Sequence, residues 1–187
     1  IVVAFGDSLT QGYGLPAESG FVPQLDAWLA GQGSQVRMIN AGVSGDTTAG
    51  GLARLDWTLA EPVDLVIVNL GSNDMLRGLD PGLAHENLDQ ILQKLEARRI
   101  PTLLVGHLGP LNYGADYKER YDTAFQELAA RYDVVFYPFF FKTLMASDGV
   151  TPNLQNYFQA DGLHPNAEGV AAVVADMGPY ILRALER

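Results

Sequence analysis

The sequence predicts a three-layer α/β/α sandwich built on a five-stranded parallel sheet. Two observations carry that prediction. Short apolar runs alternate with amphipathic helical stretches along the whole chain, and the runs are continuous rather than alternating in polarity. The candidate strands are residues 2–5, 36–40, 65–70, 102–105 and 134–139, all rich in apolar residues. Strands covered by helices on both faces need this composition, because neither side of the sheet meets water.

The helical stretches between them follow from spacing. Phe21, Leu25, Trp28 and Leu29 fall on one face, and Leu52, Leu55 and Leu59 on another. Leu88, Ile91, Leu92 and Leu95 repeat at helical intervals, and Tyr117, Tyr121, Phe125, Leu128 and Tyr132 form a fourth stripe. The last helix is expected just after Pro165, with Asn166 as its cap, burying Val170, Val173, Val174, Met177 and Ile181. No internal repeat, low-complexity tract or linker interrupts the pattern, so residues 1–187 are expected to form one domain.

Composition narrows the function. The 187 residues are 48% hydrophobic and 18% charged, ordinary for a globular chain with a sizeable core. A net charge of −10 argues against nucleic acid and anionic membrane surfaces as partners. The absence of cysteine excludes disulfides, thiolate metal sites and a cysteine nucleophile. No apolar run reaches the roughly 20 residues of a membrane span. The chain opens directly on an apolar strand, from which a removed leader or tag is expected.

Four motifs follow the strands or precede the last helix, where α/β sheets carry their ligand sites. Gly6-Asp7-Ser8-Leu9 offers a hydroxyl nucleophile at a sharp turn; its bland reading is a serine cap. Asp161-Gly162-Leu163-His164 sets a carboxylate and an imidazole three residues apart, so one turn brings both to one side; the alternative is an aspartate cap before the last helix. Gly71-Ser72-Asn73-Asp74 presents a side-chain amide that can donate without titrating, or is a simple Asn-Asp turn. Gly42-Val43-Ser44-Gly45-Asp46 offers a backbone N–H from Gly45, or merely a flexible connection. His85 and His107 lack a carboxylate at comparable spacing and are read as structural. Serine, aspartate and histidine occur in the chain order expected of an α/β scaffold.

Taken together, these four blocks resemble the GDSL or SGNH hydrolases, in order and over the whole chain, with Ser8, Gly45, Asn73 and His164 at the defining positions. Ser44-Gly45-Asp46-Thr47, Gly51-Leu52-Ala53-Arg54-Leu55, Leu76-Arg77-Gly78 and Asn112-Tyr113-Gly114 look most like the bacterial periplasmic thioesterase/lysophospholipase and arylesterase branch. The resemblance implies a flavodoxin-like SGNH fold and hydrolysis of aryl or acyl esters, acyl thioesters or lysophospholipids. It implies Ser8, Asp161 and His164 as the catalytic triad, and Ser8, Gly45 and Asn73 as oxyanion donors. It also implies no cofactor or metal, a small-molecule ester as partner, and a periplasmic or secreted location. A carbohydrate deacetylase of the same family and a non-catalytic flavodoxin-like binding module are the alternatives.

Met75, Leu76, Leu79, Pro110, Leu111, Tyr113 and Phe158 are the candidate lining of an acyl or aryl groove, with the aromatic run 139–141 nearby. The sequence leaves the oligomeric state open, leaning to a monomer. Position 72 is the one departure: close relatives often carry glycine there, and a positive φ at Ser72 would strain the loop.

Overall fold

The computed structural model describes residues 1–60, 62–146 and 151–187. Five parallel strands, β1 (Val2–Gly6), β2 (Met38–Gly42), β3 (Leu65–Asn69), β4 (Thr102–Val105) and β5 (Val135–Tyr137), pair in the order β2-β1-β3-β4-β5. Eight α-helices accompany them among the described residues: α1 (Ser8–Gln11), α2 (Phe21–Gly31), α3 (Thr48–Thr58), α4 (Ser72–Leu76), α5 (Pro81–Ala97), α6 (Ala115–Arg131), α7 (Leu154–Tyr157) and α8 (Ala167–Leu185).

Successive side chains of a strand point to opposite faces, and the buried residues divide accordingly. Val2, Ala4, Leu65, Ile67, Leu103 and Val105 pack with α2 and α8 on one side. Val3, Phe5, Val66, Val68 and Leu104 pack with α3, α5 and α6 on the other. This is why the strands read as unbroken apolar runs: both faces are core. The expected stripes are the buried faces of the helices, and Asn166 caps α8, its side chain accepting from Gly169 N–H at 2.9 Å.

Two strand boundaries differ from the sequence reading. β2 lies two residues further along than expected because it is an edge strand; half-exposed throughout, its apolar run does not mark its limits. β5 ends at Tyr137 because Pro138 has no N–H to continue the ladder. The helices α1, α4 and α7 were not foreseen, since four or five residues are too few to display a period.

The register matters most for the site. Gly6 aligns with Gly42 on one side and Asn69 on the other, so β1, β2 and β3 end level. The chain reverses its direction of growth between β1 and β3, which is where such sheets open a crevice. No helix among the described residues is long and apolar enough to cross a membrane.

Candidate active site

Ser8 begins α1 directly after β1. The preceding residue, Asp7, caps that helix by accepting from Leu9 N–H at 3.0 Å, which fixes the turn. Ser8 is 8% exposed and faces the crevice. His164 arrives from the loop before α8, with Nε2 2.9 Å from Ser8 Oγ. Its other ring nitrogen, Nδ1, lies 2.7 Å from Asp161 Oδ2. The network therefore assigns the proton on Nδ1 to Asp161 and leaves Nε2 to accept from the Ser8 hydroxyl.

Asp161 is itself pinned, its Oδ1 accepting from the backbone N–H groups of His164 at 3.0 Å and Leu163 at 2.9 Å. The His164 backbone bond, then its imidazole, then the Leu163 N–H hold the carboxyl down to about 2. Asp161 thus stays charged near neutral pH, although it sits at the surface.

Gln159 supports the same corner. Its Nε2 donates to Tyr13 O at 2.8 Å and to Pro165 O at 2.9 Å, joining the loop after Ser8 to the loop carrying His164. The Tyr13 ring lies 4.6 Å from the His164 ring, tilted by 37°.

Across the crevice, Gly71 ends the β3 loop and α4 begins at Ser72. The positive φ in this loop, +125°, belongs to Gly71, and Ser72 is not among the positive-φ residues. The strain envisaged for Ser72 is therefore absent. Glycine is required one position earlier, where a Cβ would stand 2.7 Å from Tyr121 Oη and 3.0 Å from the Phe125 ring. Ser72 instead donates its hydroxyl to Asp7 Oδ2, and Asn73 Nδ2 donates to the same oxygen at 3.2 Å. Asp7 is fully buried, and burial raises its pKa against the lowering effect of these hydrogen bonds, Ser72's first.

The loop carrying Gly45 is held from three sides. Arg77 donates to Gly45 O at 2.6 Å, Arg54 pairs with Asp46 at 2.7 Å, and Asp74 accepts from Thr48 N at 2.8 Å and Thr48 Oγ1 at 2.6 Å. Sequence reasoning gave no role to these residues, although Arg54, Asp74 and Arg77 lie within the motifs it singled out.

A cavity of about 490 Å³ joins these groups, lined by Ser8, Gly45, Ser72, Asn73, Asp161 and His164 with an apolar wall of Leu9, Tyr13, Met75, Leu76, Phe141 and Leu163. Of the seven expected groove residues, Met75 and Leu76 line it. Leu79, Leu111 and Tyr113 are exposed outside the wall, and Tyr113 Oη reaches back to Leu76 O at 3.4 Å. Pro110 precedes a 3₁₀ turn, and Phe158 packs behind Phe141 with ring centres 5.8 Å apart. Tyr13 carried no sequence signal beyond its place between two glycines. Leu9 and Leu163 stood inside recognised motifs.

The two remaining histidines lie apart from the crevice wall. His85 sits between α5 and α6, 4.0 Å from Glu127. His107 is fully buried beneath the site, where Nε2 donates to Asn69 Oδ1 at 3.0 Å and Asn69 donates to Thr10 Oγ1 at 3.1 Å.

An imidazole set between a serine hydroxyl and a charged carboxylate, at the carboxyl ends of a parallel sheet, is an arrangement that can activate the hydroxyl toward an acyl carbonyl. The chain belongs to the GDSL-like lipase/acylhydrolase family, whose model matches residues 4–172. It is 40% identical to the esterase TesA of Pseudomonas aeruginosa over 96% of this chain and 87% of that protein. It is 36% identical to thioesterase 1/protease 1/lysophospholipase L1 of Escherichia coli K12, covering 89% and 76% of the two chains. The structure of the psychrotrophic esterase EstA from Pseudoalteromonas sp. superposes with a TM-score of 0.89 at 29% identity, covering 100% of this chain and 98% of that one. The protein is a carboxylic ester hydrolase.

Proposed function

We propose that the enzyme cleaves aryl and acyl esters, acyl thioesters and lysophospholipids through an acyl-enzyme on Ser8. His164 takes the Ser8 proton as Oγ attacks the acyl carbonyl, and Asp161 stabilises the imidazolium that forms. The N–H groups of Ser8 and Gly45 and the Asn73 amide receive the developing oxyanion. His164 then protonates the departing alcohol or thiol. A water activated by His164 attacks the acyl-enzyme, and the acid leaves with Ser8 regenerated. Leu9, Met75, Leu76, Phe141 and Leu163 offer the acyl or aryl portion an apolar wall.

The observation that carries this reading is the bridging position of His164, 2.9 Å from Ser8 Oγ and 2.7 Å from Asp161 Oδ2. Nothing in the site favours a sugar over an apolar acyl group, and the deacetylase and binding-module readings gain no support. We further take residues 1–187 to act as one catalytic domain, as a monomer, in the periplasm or outside the cell. The location rests on the resemblance to the periplasmic branch.

Ser8→Ala tests the mechanism. It should lower turnover by about 10⁶-fold while the thermal midpoint changes little, and an organophosphonate should label Ser8 in the wild type alone. A well-folded Ser8→Ala enzyme with wild-type turnover would sink the acyl-enzyme reading. A panel of nitrophenyl esters of increasing chain length, with an acyl-coenzyme A and an acetylated sugar beside them, ranks the substrate classes.

A further inference from the structure

Asp7 is a fully buried carboxylate that the proposed reaction does not use. It lies between the two elements that matter most. Its Oδ1 caps the helix of Ser8 through Leu9 N–H, and its Oδ2 accepts from two successive side chains of α4, Ser72 and Asn73. An amide NH₂ carries two hydrogens. In Asn73 one is anchored on Asp7, and the direction of that bond sets where the other points.

The anchor works only while Asp7 is an acceptor. Burial penalises its charge, and a carboxylate in such a place needs strong donors to remain ionised. The Ser72 hydroxyl is the leading counterweight, ahead of the Leu9 N–H and the Asn73 amide. If Asp7 takes up a proton, its new hydroxyl needs an acceptor, and the Asn73 amide oxygen answers by turning the amide over. The donor would then leave its direction.

We infer that Ser72 is a positioning residue for the proposed oxyanion donor, its hydroxyl keeping Asp7 as the acceptor to which the Asn73 amide is fixed. The inference rests on the role proposed for Asn73. It replaces strain with a chemical purpose for serine at position 72: a donor that glycine cannot supply.

The titratable groups that sense Asp7 are His164, from the loop before α8, and Tyr121, from α6. Tyr121, whose hydroxyl donates to Gly71 O, is held neutral well above the ordinary tyrosine range by burial, so it adds nothing to an acidic limb. Loss of the Ser72 hydroxyl should add a proton to that limb, because Asp7 then protonates at higher pH.

The experiment compares Ser72→Ala, Ser72→Gly, Ser72→Thr, Asn73→Ala and the double variant Ser72→Ala/Asn73→Ala with a nitrophenyl ester. Both Ser72→Ala and Ser72→Gly should lower kcat about tenfold, the worth of one hydrogen bond to a charge, with KM nearly unchanged. Their acidic limbs should steepen and move to higher pH, and Ser72→Thr should restore most of the rate. The double variant should be no slower than Asn73→Ala alone. Full activity in either hydroxyl-less variant, an unmoved acidic limb, or additive losses in the double variant would overturn the inference. The outcomes also separate it from the reading beneath it. An Asn73→Ala enzyme at wild-type rate removes the oxyanion role itself, whereas an impaired Asn73→Ala beside a normal Ser72→Ala removes only the role of Ser72.

Discussion

The side chain of Gln159 is hydrogen-bonded to the carbonyl of Tyr13, 146 positions away in sequence, at 2.8 Å. The same Nε2 reaches Pro165 O at 2.9 Å, and the Gln159 backbone N–H reaches His164 O at 2.8 Å. One residue therefore ties the loop after the nucleophile to the loop carrying the base. Reaction geometry of this kind tolerates little slack, since small misplacements cost large factors in rate.

Replacing Gln159 with leucine keeps its bulk but removes both donors. The expected result is a fall in kcat of about tenfold or more with a small change in KM. Steady-state kinetics beside a thermal midpoint check this: a stable Gln159→Leu enzyme with unchanged kcat would show that the two loops hold their places without the bridge.

Asp161 makes a different prediction. Held at about 2 by donors from His164 and Leu163, it stays ionised at neutral and mildly acidic pH. Its folded value lies below the ordinary carboxylate value of 3.8, so whatever stability it adds is present above that value. This stability is lost as pH falls from about 3.8 toward about 2. The carboxylate is exposed, so that stability is small. Asp161→Asn should leave the thermal midpoint near neutral pH almost unchanged while lowering kcat by up to about 10⁴-fold, because an amide can stabilise the wrong imidazole tautomer. A loss of stability matching the loss of rate would make Asp161 a structural residue.

His107 links acid stability to the floor of the site. Burial lowers its pKa from 6.5 to about 4, so the folded protein holds it neutral while the unfolded chain protonates it first. Stability should therefore decline as pH falls from about 6.5 to about 4 and then level off with respect to this group. The full difference corresponds to roughly 3 kcal/mol. Urea midpoints of wild type and His107→Gln, compared near neutrality and near pH ~4, should show a shallower decline for the glutamine protein. Parallel declines would assign the acid sensitivity elsewhere.

Much of this was legible in the sequence, for physical reasons that also mark where legibility stops. The strands β1, β3 and β4 stood out because both faces are covered. Asp161 and His164 stood out because three residues of spacing bring a carboxylate and an imidazole to one side, and Ser8 because its motif follows a buried strand. Gln159 and Tyr13 were invisible, because a side-chain-to-carbonyl bond between remote loops leaves no periodic or compositional trace. Leu79, Leu111 and Tyr113 follow strands at the site end of the sheet yet lie outside the cavity wall, because position along the chain does not say which way a loop residue faces. Position 72 was the most instructive. The motif showed a departure, yet only the backbone reveals that the left-handed conformation falls on Gly71, leaving Ser72 free to donate a hydrogen bond.

That shift by one residue supplies the last prediction. Gly71 adopts φ +125°, a conformation side chains rarely accept, and a Cβ there would meet Tyr121 Oη at 2.7 Å and the Phe125 ring at 3.0 Å. Both neighbours are buried in the helix α6 layer and cannot swing aside cheaply. Gly71→Ala should thus strain the backbone and crowd the core together, costing about 1–3 kcal/mol for each effect. Relief by moving the start of α4 would carry Ser72 and Asn73 off the Asp7 carboxylate, so kcat should fall more than KM changes. Ser72→Gly, by contrast, relieves no strain and should not raise turnover. Thermal midpoints and kinetics on the two variants check the assignment: a Gly71→Ala protein as stable and active as the wild type would show that this loop can absorb a side chain where the backbone geometry says it cannot.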